Sequence, residues 1–404
     1  MAVNLTEHPL MRPVPGVRLG SAAAGVRYPG RDDLALMAFA EGSTAAAVFT
    51  RNAFCAAPVT LARRRLQTTA PRFALINAGN ANAGTGSGGL DDALETCALV
   101  AQQAGVSPES VLPFSTGVIG QRLNLSAFRN GVPEAFGDLK ETGWSRAARA
   151  IMTTDTRPKG TSRQVEIDGQ TVTLTGMIKG SGMIHPDMAT MLAFVATDAA
   201  IASDALQAAL ERAAQVSFNA VSVDGDTSTN DACLLVATGA SGVALAPGSE
   251  AWSQWQDALT DVCVELAQAM IRDGEGATKF ITLEIHGGRD ESECRQVGFA
   301  IAHSPLVKTA FFASDANWGR MLACIGRAGL QGLDLSGVDL RLGEVCVIRG
   351  GEPDPRYREE QGAAVMQASE IHVRINLGRG KAAATLWTCD LSHDYVRINA
   401  EYRS

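Results

Sequence analysis

Apolar residues recur at helical spacing most clearly between residues 249 and 271. There Trp252, Trp255, Leu259, Val262, Leu266 and Met270 share a face, and Gly274 lies just beyond. A stripe of this period predicts an amphipathic helix packed on a core, and a glycine past its end suits the turn that stops it. Residues 90–105 read the same way, with Leu94, Cys97, Val100 and Ala101 on one face and Gly105 as the cap. Ser203 is placed to cap a further helix that carries Leu206 and Leu210. Short apolar runs predict strands at Phe73–Asn77, Ile371–Ile375, Ala383–Thr388 and Tyr395–Ile398. The last three are separated by Gly378, Gly380 and the turn region 390–394. Helices and short strands without a regular βαβ rhythm predict a layered α+β fold. The composition shifts near 274–279, which marks the expected start of a smaller C-terminal α/β domain at 279–404.

Composition narrows the class without naming a chemistry. The chain has 404 residues, 46% of them apolar and 19% charged, enough to build a full core and far from the profile of a disordered chain. A net charge of −8 argues against a nucleic-acid partner, which a basic face would serve. No run approaches the roughly 18 apolar residues of a membrane span. The first residues, with Glu7, Pro9 and Pro13, lack the apolar stretch of a secretory signal. A cytoplasmic protein with no membrane partner is expected. The eight cysteines form no CxxC pair, which in a reducing compartment predicts small buried hydrophobes. The six histidines do not cluster at metal-ligand spacing, so no metal site is expected.

Gly84, Gly86 and Gly89 satisfy the glycine fingerprint of a dinucleotide site. The surroundings disagree with it. The strand candidate ends well before the first glycine, and Asp91 and Asp92 at the start of the expected helix would repel a pyrophosphate. A surface loop is the expectation.

The run KGSGMIHPDMATMLAF at 179–194 carries richer chemistry. A threonine becomes a nucleophile only if a base takes its proton, and a free α-amine on the same residue is one such base. Cleavage between Ala189 and Thr190 would supply that amine, whose reference pKa of about 7.7–8.0 suits general-base work. Developing negative charge then needs donors, and Ser115-Thr116-Gly117 offers a hydroxyl and an unobstructed backbone N–H. Lys179 would add a compact positive charge. On the bare residues, Thr190 as an ordinary strand residue remains open.

Resemblance changes the weight of these readings. The segments FTRNAFCAAPV (49–59), NAGNANAGTG (77–86), STGVIG (115–120), MTTDT (152–156), KGSGMIHPDMATMLAF (179–194), DGDTSTND (224–231), GEGATKF (274–280), SDANWGR (314–320) and RINAEYRS (397–404) occur in that order. With them, the chain closely resembles the ornithine acetyltransferase (glutamate N-acetyltransferase) family of arginine biosynthesis, an N-terminal-nucleophile-like group. The resemblance implies a layered sandwich of the self-processing amidase type. It makes Thr190 the self-cleavage residue and then the acetyl-carrying nucleophile, and Thr116 and Gly117 the oxyanion hole. Thr153, Lys179, Thr190, Glu275, Asn399 and Ser404 fall on substrate-binding positions. Glu275 would meet a substrate ammonium and Lys179 a carboxylate.

The expected reaction moves acetyl from N²-acetyl-L-ornithine to L-glutamate by a ping-pong route. Cleavage would divide the chain into 1–189 and 190–404, with 190–278 completing the catalytic domain. The resemblance further implies a heterotetramer of two chains of each kind and no cofactor, with acetyl-CoA a possible second acetyl donor. The alternative is a related self-processing amidase or aminopeptidase that passes the acyl group to water.

Overall fold

The computed structural model describes residues 2–185 and 191–401. Two sheets stacked face to face form its centre. The four-stranded sheet runs, in spatial order, Val17–Ala22, Leu34–Phe39, Phe73–Asn80 and Val111–Val118. The five-stranded sheet runs Thr44–Phe49, Ala232–Ala237, Leu192–Thr197, Gln170–Lys179 and Lys159–Ile167.

Their inner strands are apolar on both faces because both faces are covered, while the edge strand Lys159–Ile167 is mostly polar and partly exposed. Along Leu192–Thr197 the period-two alternation divides the residues between two cores. Leu192, Phe194 and Ala196 join Met37, Ile76, Leu112 and Phe114 between the sheets. Ala193 and Val195 face outward against Leu206, Leu210, Trp255, Leu259 and Val262. These come from the helices Ser203–Gln215 and Glu250–Arg272. On the other outer face, Leu34, Leu36 and Leu75 pack on helices Gly86–Ala104 and Leu125–Gly137. The result is helix, sheet, sheet, helix.

A seven-stranded sheet follows, in the order Val221–Ser222, Ala382–Cys389, Phe280–Gly288, Glu370–Asn376, Asp339–Leu342, Val345–Arg349 and Glu352–Pro353. It has its own core with helices Glu291–Ala302, Pro305–Phe312 and Trp318–Gly326. The short strand Val221–Ser222 comes from before residue 279, so hydrogen bonds stitch this sheet to the sandwich.

The long helix is capped by Ser249, whose side chain accepts the Trp252 N–H, and Trp255 is fully buried. Gly105 takes the left-handed conformation that ends the helix before it, at φ 68°. Four expectations change. Leu94 is 41% exposed; Ala93, Cys97, Val100 and Ala101 make the buried face instead. Ser203 is the first helical residue and Ala202 the cap. The strand Phe73–Asn80 runs three residues past the predicted Asn77, and the glycine-rich stretch is the first turn of helix Gly86–Ala104 rather than a loop. Asp92 there is buried and gripped by Arg122 at 2.5 and 2.7 Å.

The fourth change is at the tail: Tyr395–Ile398 lies in a helix, His393–Ala400, with no fully buried residue. The Ser392 side chain accepts the Asp394 N–H and starts that helix, a local bond that outweighs the strand-like alternation.

Candidate active site

The strand Val111–Val118 ends at a bulge. Thr116 pairs with Ala78 and Gly117 with Gly79, and the register then shifts at Asn80. Gly117 sits at φ 132°, and a Cβ there would lie 2.2 Å from the Gly79 carbonyl carbon. Only glycine fits. Its freedom lets two backbones approach at the bulge. Asparagines hold this bend. Asn77 donates to the Asn80 carbonyl at 2.8 Å and accepts from the Ser115 hydroxyl at 2.6 Å, and Asn230 donates to the carbonyls of Ala81 and Ser115.

Across the sandwich, Lys179 is the last residue of its strand and pairs with Leu192. Its ammonium reaches the Thr116 hydroxyl at 3.2 Å and is buried. Burial lowers its pKa below the ordinary lysine value; the nearby Asp155 opposes that shift, as do Asp231 and Glu275, while Lys159 adds to it.

Glu275 lies just past the long helix, its N–H donating to the Ser181 carbonyl at 2.8 Å. Gly182 leaves room for its carboxylate, which a Cβ there would strike at 2.4 Å. Asn399, from the terminal helix, donates to Glu275 Oε2 at 2.7 Å.

Thr116, Gly117, Thr153, Lys179, Glu275 and Asn399 thus line one cavity of about 220 Å³, with Ser228, Thr229 and Asn230 completing the wall. A larger groove of about 630 Å³ runs along the edge strand Thr44–Phe49, far from this constellation, where Gln207 bonds both backbone groups of Ala47. Volume does not decide which is the site; the cluster of buried ionisable groups does.

Ala189, Thr190 and Ser404 lie outside the described residues. The chain on either side of 186–190 is firmly held. Met183 and Ile184 give their N–H groups to Asp224 at 2.6 and 2.9 Å, and Met183 adopts φ 58°. Beyond the gap, Met191 donates to Asp231 Oδ1 at 3.0 Å. Asp231 is fully buried, and its Oδ2 has no hydrogen-bond partner among the described residues. Burial pushes this carboxyl well above the usual carboxylate range, against the pull of the Met191 N–H, Ser228 and Lys179.

Sequence reading alone did not single out Asp155, Asp224, Asn230 or Asp231. The motifs MTTDT and DGDTSTND contain them, but their signal is an acidic or amide residue beside an apolar strand, which acquires meaning only from its partners. Among the described residues no group of three or more His, Cys, Asp or Glu could hold a metal, and no helix is long and apolar enough to cross a membrane.

Comparison with known proteins places this geometry in a lineage. The model of the ArgJ family matches residues 18–404. The arginine biosynthesis bifunctional protein ArgJ of Methylococcus capsulatus is 58% identical over 393 residues, covering 97% of this chain and 96% of that protein. Its counterpart in Pseudomonas fluorescens is 53% identical over 407 residues, covering 100% of both. Among solved structures, the arginine biosynthesis bifunctional protein ArgJ of Bacillus halodurans is 39% identical. It covers 51% of this chain and 97% of the solved chain, with a TM-score of 0.50.

Proposed function

The chain belongs to the ArgJ family, and from that premise we propose that it is the glutamate N-acetyltransferase of arginine biosynthesis, working through a threonine that self-cleavage exposes. The observation that carries this reading is the convergence of a hydroxyl and a flexible glycine backbone (Thr116, Gly117), a buried cation (Lys179) and an anion (Glu275) on one cavity. Such a cavity has a partner for each charged end of an α,ω-amino acid and donors for a tetrahedral oxyanion.

In the first phase the Thr190 hydroxyl attacks the Ala189 carbonyl, the C–N bond breaks as the nitrogen takes a proton, and water hydrolyses the ester. In the five-stranded sheet the two strands from 190–404, Ala232–Ala237 and Leu192–Thr197, lie between Thr44–Phe49 and Gln170–Lys179 of 1–189, which would hold the two pieces together. The solved Bacillus halodurans chain, about half as long as this one, is of the size expected of such a piece.

In the second phase the α-amine of Thr190 takes the hydroxyl proton as the oxygen attacks the acetyl group of N-acetylornithine. Thr116 and the Gly117 N–H stabilise the oxyanion, and ornithine leaves with the proton. The glutamate amine then attacks the acetyl ester. Thr153, Ser404 and Asn399 join Lys179 and Glu275 in holding substrate. The route needs no cofactor. Acetyl-CoA as a second donor agrees with the word bifunctional in the relatives' names, and an assembly of two chains of each kind in the cytoplasm completes the reading.

Intact-mass measurement with a glutamate-dependence assay tests it. The purified protein is expected as two pieces and a Thr190→Ala variant as one, and ornithine release from N-acetylornithine should require glutamate. Release at the same rate without glutamate would assign the chain to hydrolysis instead. A Thr190→Ala chain that is still cut would refute the mechanism.

A further inference from the structure

Three chain segments supply Thr153, Lys179 and Glu275, and one buried ionic knot ties all three together. Asp155 is at its centre. Its Oδ1 accepts the Lys159 ammonium at 2.6 Å and the Gly180 N–H at 2.7 Å, and its Oδ2 accepts the Thr153 N–H at 2.9 Å. Lys159, with no exposed side-chain surface, also meets Asp273 at 2.6 Å. Asp273 binds the Thr156 hydroxyl and accepts the N–H groups of Thr156 and Arg157 at 2.9 and 3.3 Å. It stands two residues before Glu275. A second tie runs alongside, where the hydroxyls of Thr154 and Ser181 meet at 2.7 Å and the Ser181 carbonyl takes the Glu275 N–H.

Both Asp155 oxygens therefore fix the backbone at or next to a side chain that lines the cavity, Thr153 itself and Gly180 beside Lys179, while Asp273, two residues before Glu275, anchors the 156–157 backbone. A knot that served packing alone could be replaced by apolar residues of similar volume without loss. This one is aimed at the residues flanking the pocket side chains, and with Lys179 it forms a set of two cations and two anions.

We infer that Asp155, with Lys159 as its counter-charge and Asp273 as the second carboxylate on that lysine, is a positioning residue for substrate recognition, setting the spacing between the groups that receive the two charged ends of the substrate. This rests on the transferase reading above. Because Lys159 precedes the proposed cut and Asp273 follows it, the knot also fixes one piece's part of the pocket against the other's. Asp155 further opposes the lowering that burial imposes on the Lys179 pKa. The groups facing that ammonium are Asp155 and Lys159 from the 153–159 segment, Asp231 from the strand start, Glu275 from the loop after the long helix, and the Thr116 hydroxyl.

Steady-state kinetics of Asp155→Asn provide the test. Losing hydrogen bonds to a charged acceptor should raise KM for N-acetylornithine and glutamate by roughly tenfold or more. The alkaline limb of kcat/KM should move to lower pH as Lys179 loses the anion that most favours its charged form. Intact mass should still show two pieces. A purely structural role would lower the melting temperature and the folded fraction, yet leave KM and the pH profile of the folded enzyme unchanged; that result overturns the inference. Should Asp155→Asn fail to fold, Lys159→Arg carries the test, since it keeps charge and donors but changes the geometry. A severalfold rise in KM at an unchanged melting temperature supports positioning, and an unchanged KM overturns it. Wild-type enzyme without glutamate-dependent ornithine release would instead fail the transferase reading, a separate outcome visible before any variant is made.

Discussion

Two regions of the molecule bury lysines, and they do so differently. Beside the cavity, Lys159 is neutralised by two carboxylates, Asp155 and Asp273. In the C-terminal region, Lys308 donates to the Thr388 hydroxyl at 3.1 Å and to the Cys389 carbonyl. Lys279, where the long helix hands over to the seven-stranded sheet, donates to the carbonyls of Met366 and Ala368. A collar of carbonyls and a hydroxyl satisfies the donors at the end of a strand or helix, with the Asp390 carboxylate also favouring the charged form of Lys279. A pair of carboxylates makes the cation a cross-link that fails if any member is removed. The charged knot lies where three segments must meet at a fixed spacing, and the neutral collars lie where elements merely end.

The first test of that contrast removes the two cations in turn. Lys159→Met leaves Asp155 and Asp273 facing each other without a counter-charge, and breaking a buried ion pair this way costs about 3–5 kcal/mol. Lys308→Met removes donors from neutral acceptors and should cost about 1–3 kcal/mol. Urea unfolding of both variants measures the difference. Equal losses would mean that the carboxylates confer nothing beyond what a carbonyl collar provides.

The same contrast explains what could be read from the sequence. The long helix was legible because Trp252, Trp255, Leu259 and Val262 state their period without help from the rest of the chain. The terminal helix was not, because Tyr395–Ile398 alternates like a strand and only the Ser392 cap and the Asn399–Glu275 bond select a helix. The glycine run at 84–89 misled in the other direction. Its glycines answer to neighbours, since a Cβ at Gly88 would strike Arg122 and one at Gly89 the Thr85 hydroxyl. The pocket residues Thr116, Lys179 and Glu275 were identifiable through the resemblance of whole motifs. Asp155 and Asp231 sit inside those same motifs, but what they do depends on partners remote in sequence, among them Gly180, Asp273 and Met191.

Asp231 offers a second test, of a buried carboxyl on which the pull of Lys179 does not overcome burial. Its pKa is raised in the folded protein, so folding favours its protonated form. The stability this group contributes is complete below the unfolded carboxyl value of about 3.9 and is lost as pH rises toward the folded value. Asp231→Asn cannot ionise and retains an acceptor for the Met191 N–H. Melting temperatures measured from pH 4 to 8 should show the variant gaining on the wild type as pH increases. Parallel curves would mean that Asp231 is already compensated in the folded chain, and the contrast with Asp155, held low by Lys159, would collapse.

The smallest expected effect lies at the junction between the regions. His303 caps helix Glu291–Ala302 and stacks on His185 at 4.7 Å between ring centres, with Phe299 at 5.4 Å. Its Nε2 is buried without a hydrogen-bond partner among the described residues. Burial lowers its pKa from the ordinary 6.5 to about 4, assisted by His185, Lys308 and Arg327. The folded protein therefore holds the neutral ring, and this contribution to stability is present above pH 6.5 and lost as pH falls toward 4. His303→Phe keeps an aromatic ring in the stack and removes the titration. Between pH 6.5 and 4.5 the wild type should lose roughly 1–2 kcal/mol more than the variant, a difference readable from urea midpoints at each pH. A histidine that enters the stack as its neutral ring, its proton left to solvent, needs neither carboxylate nor carbonyl, so identical acid slopes would show that the junction compensates charge as the cavity does.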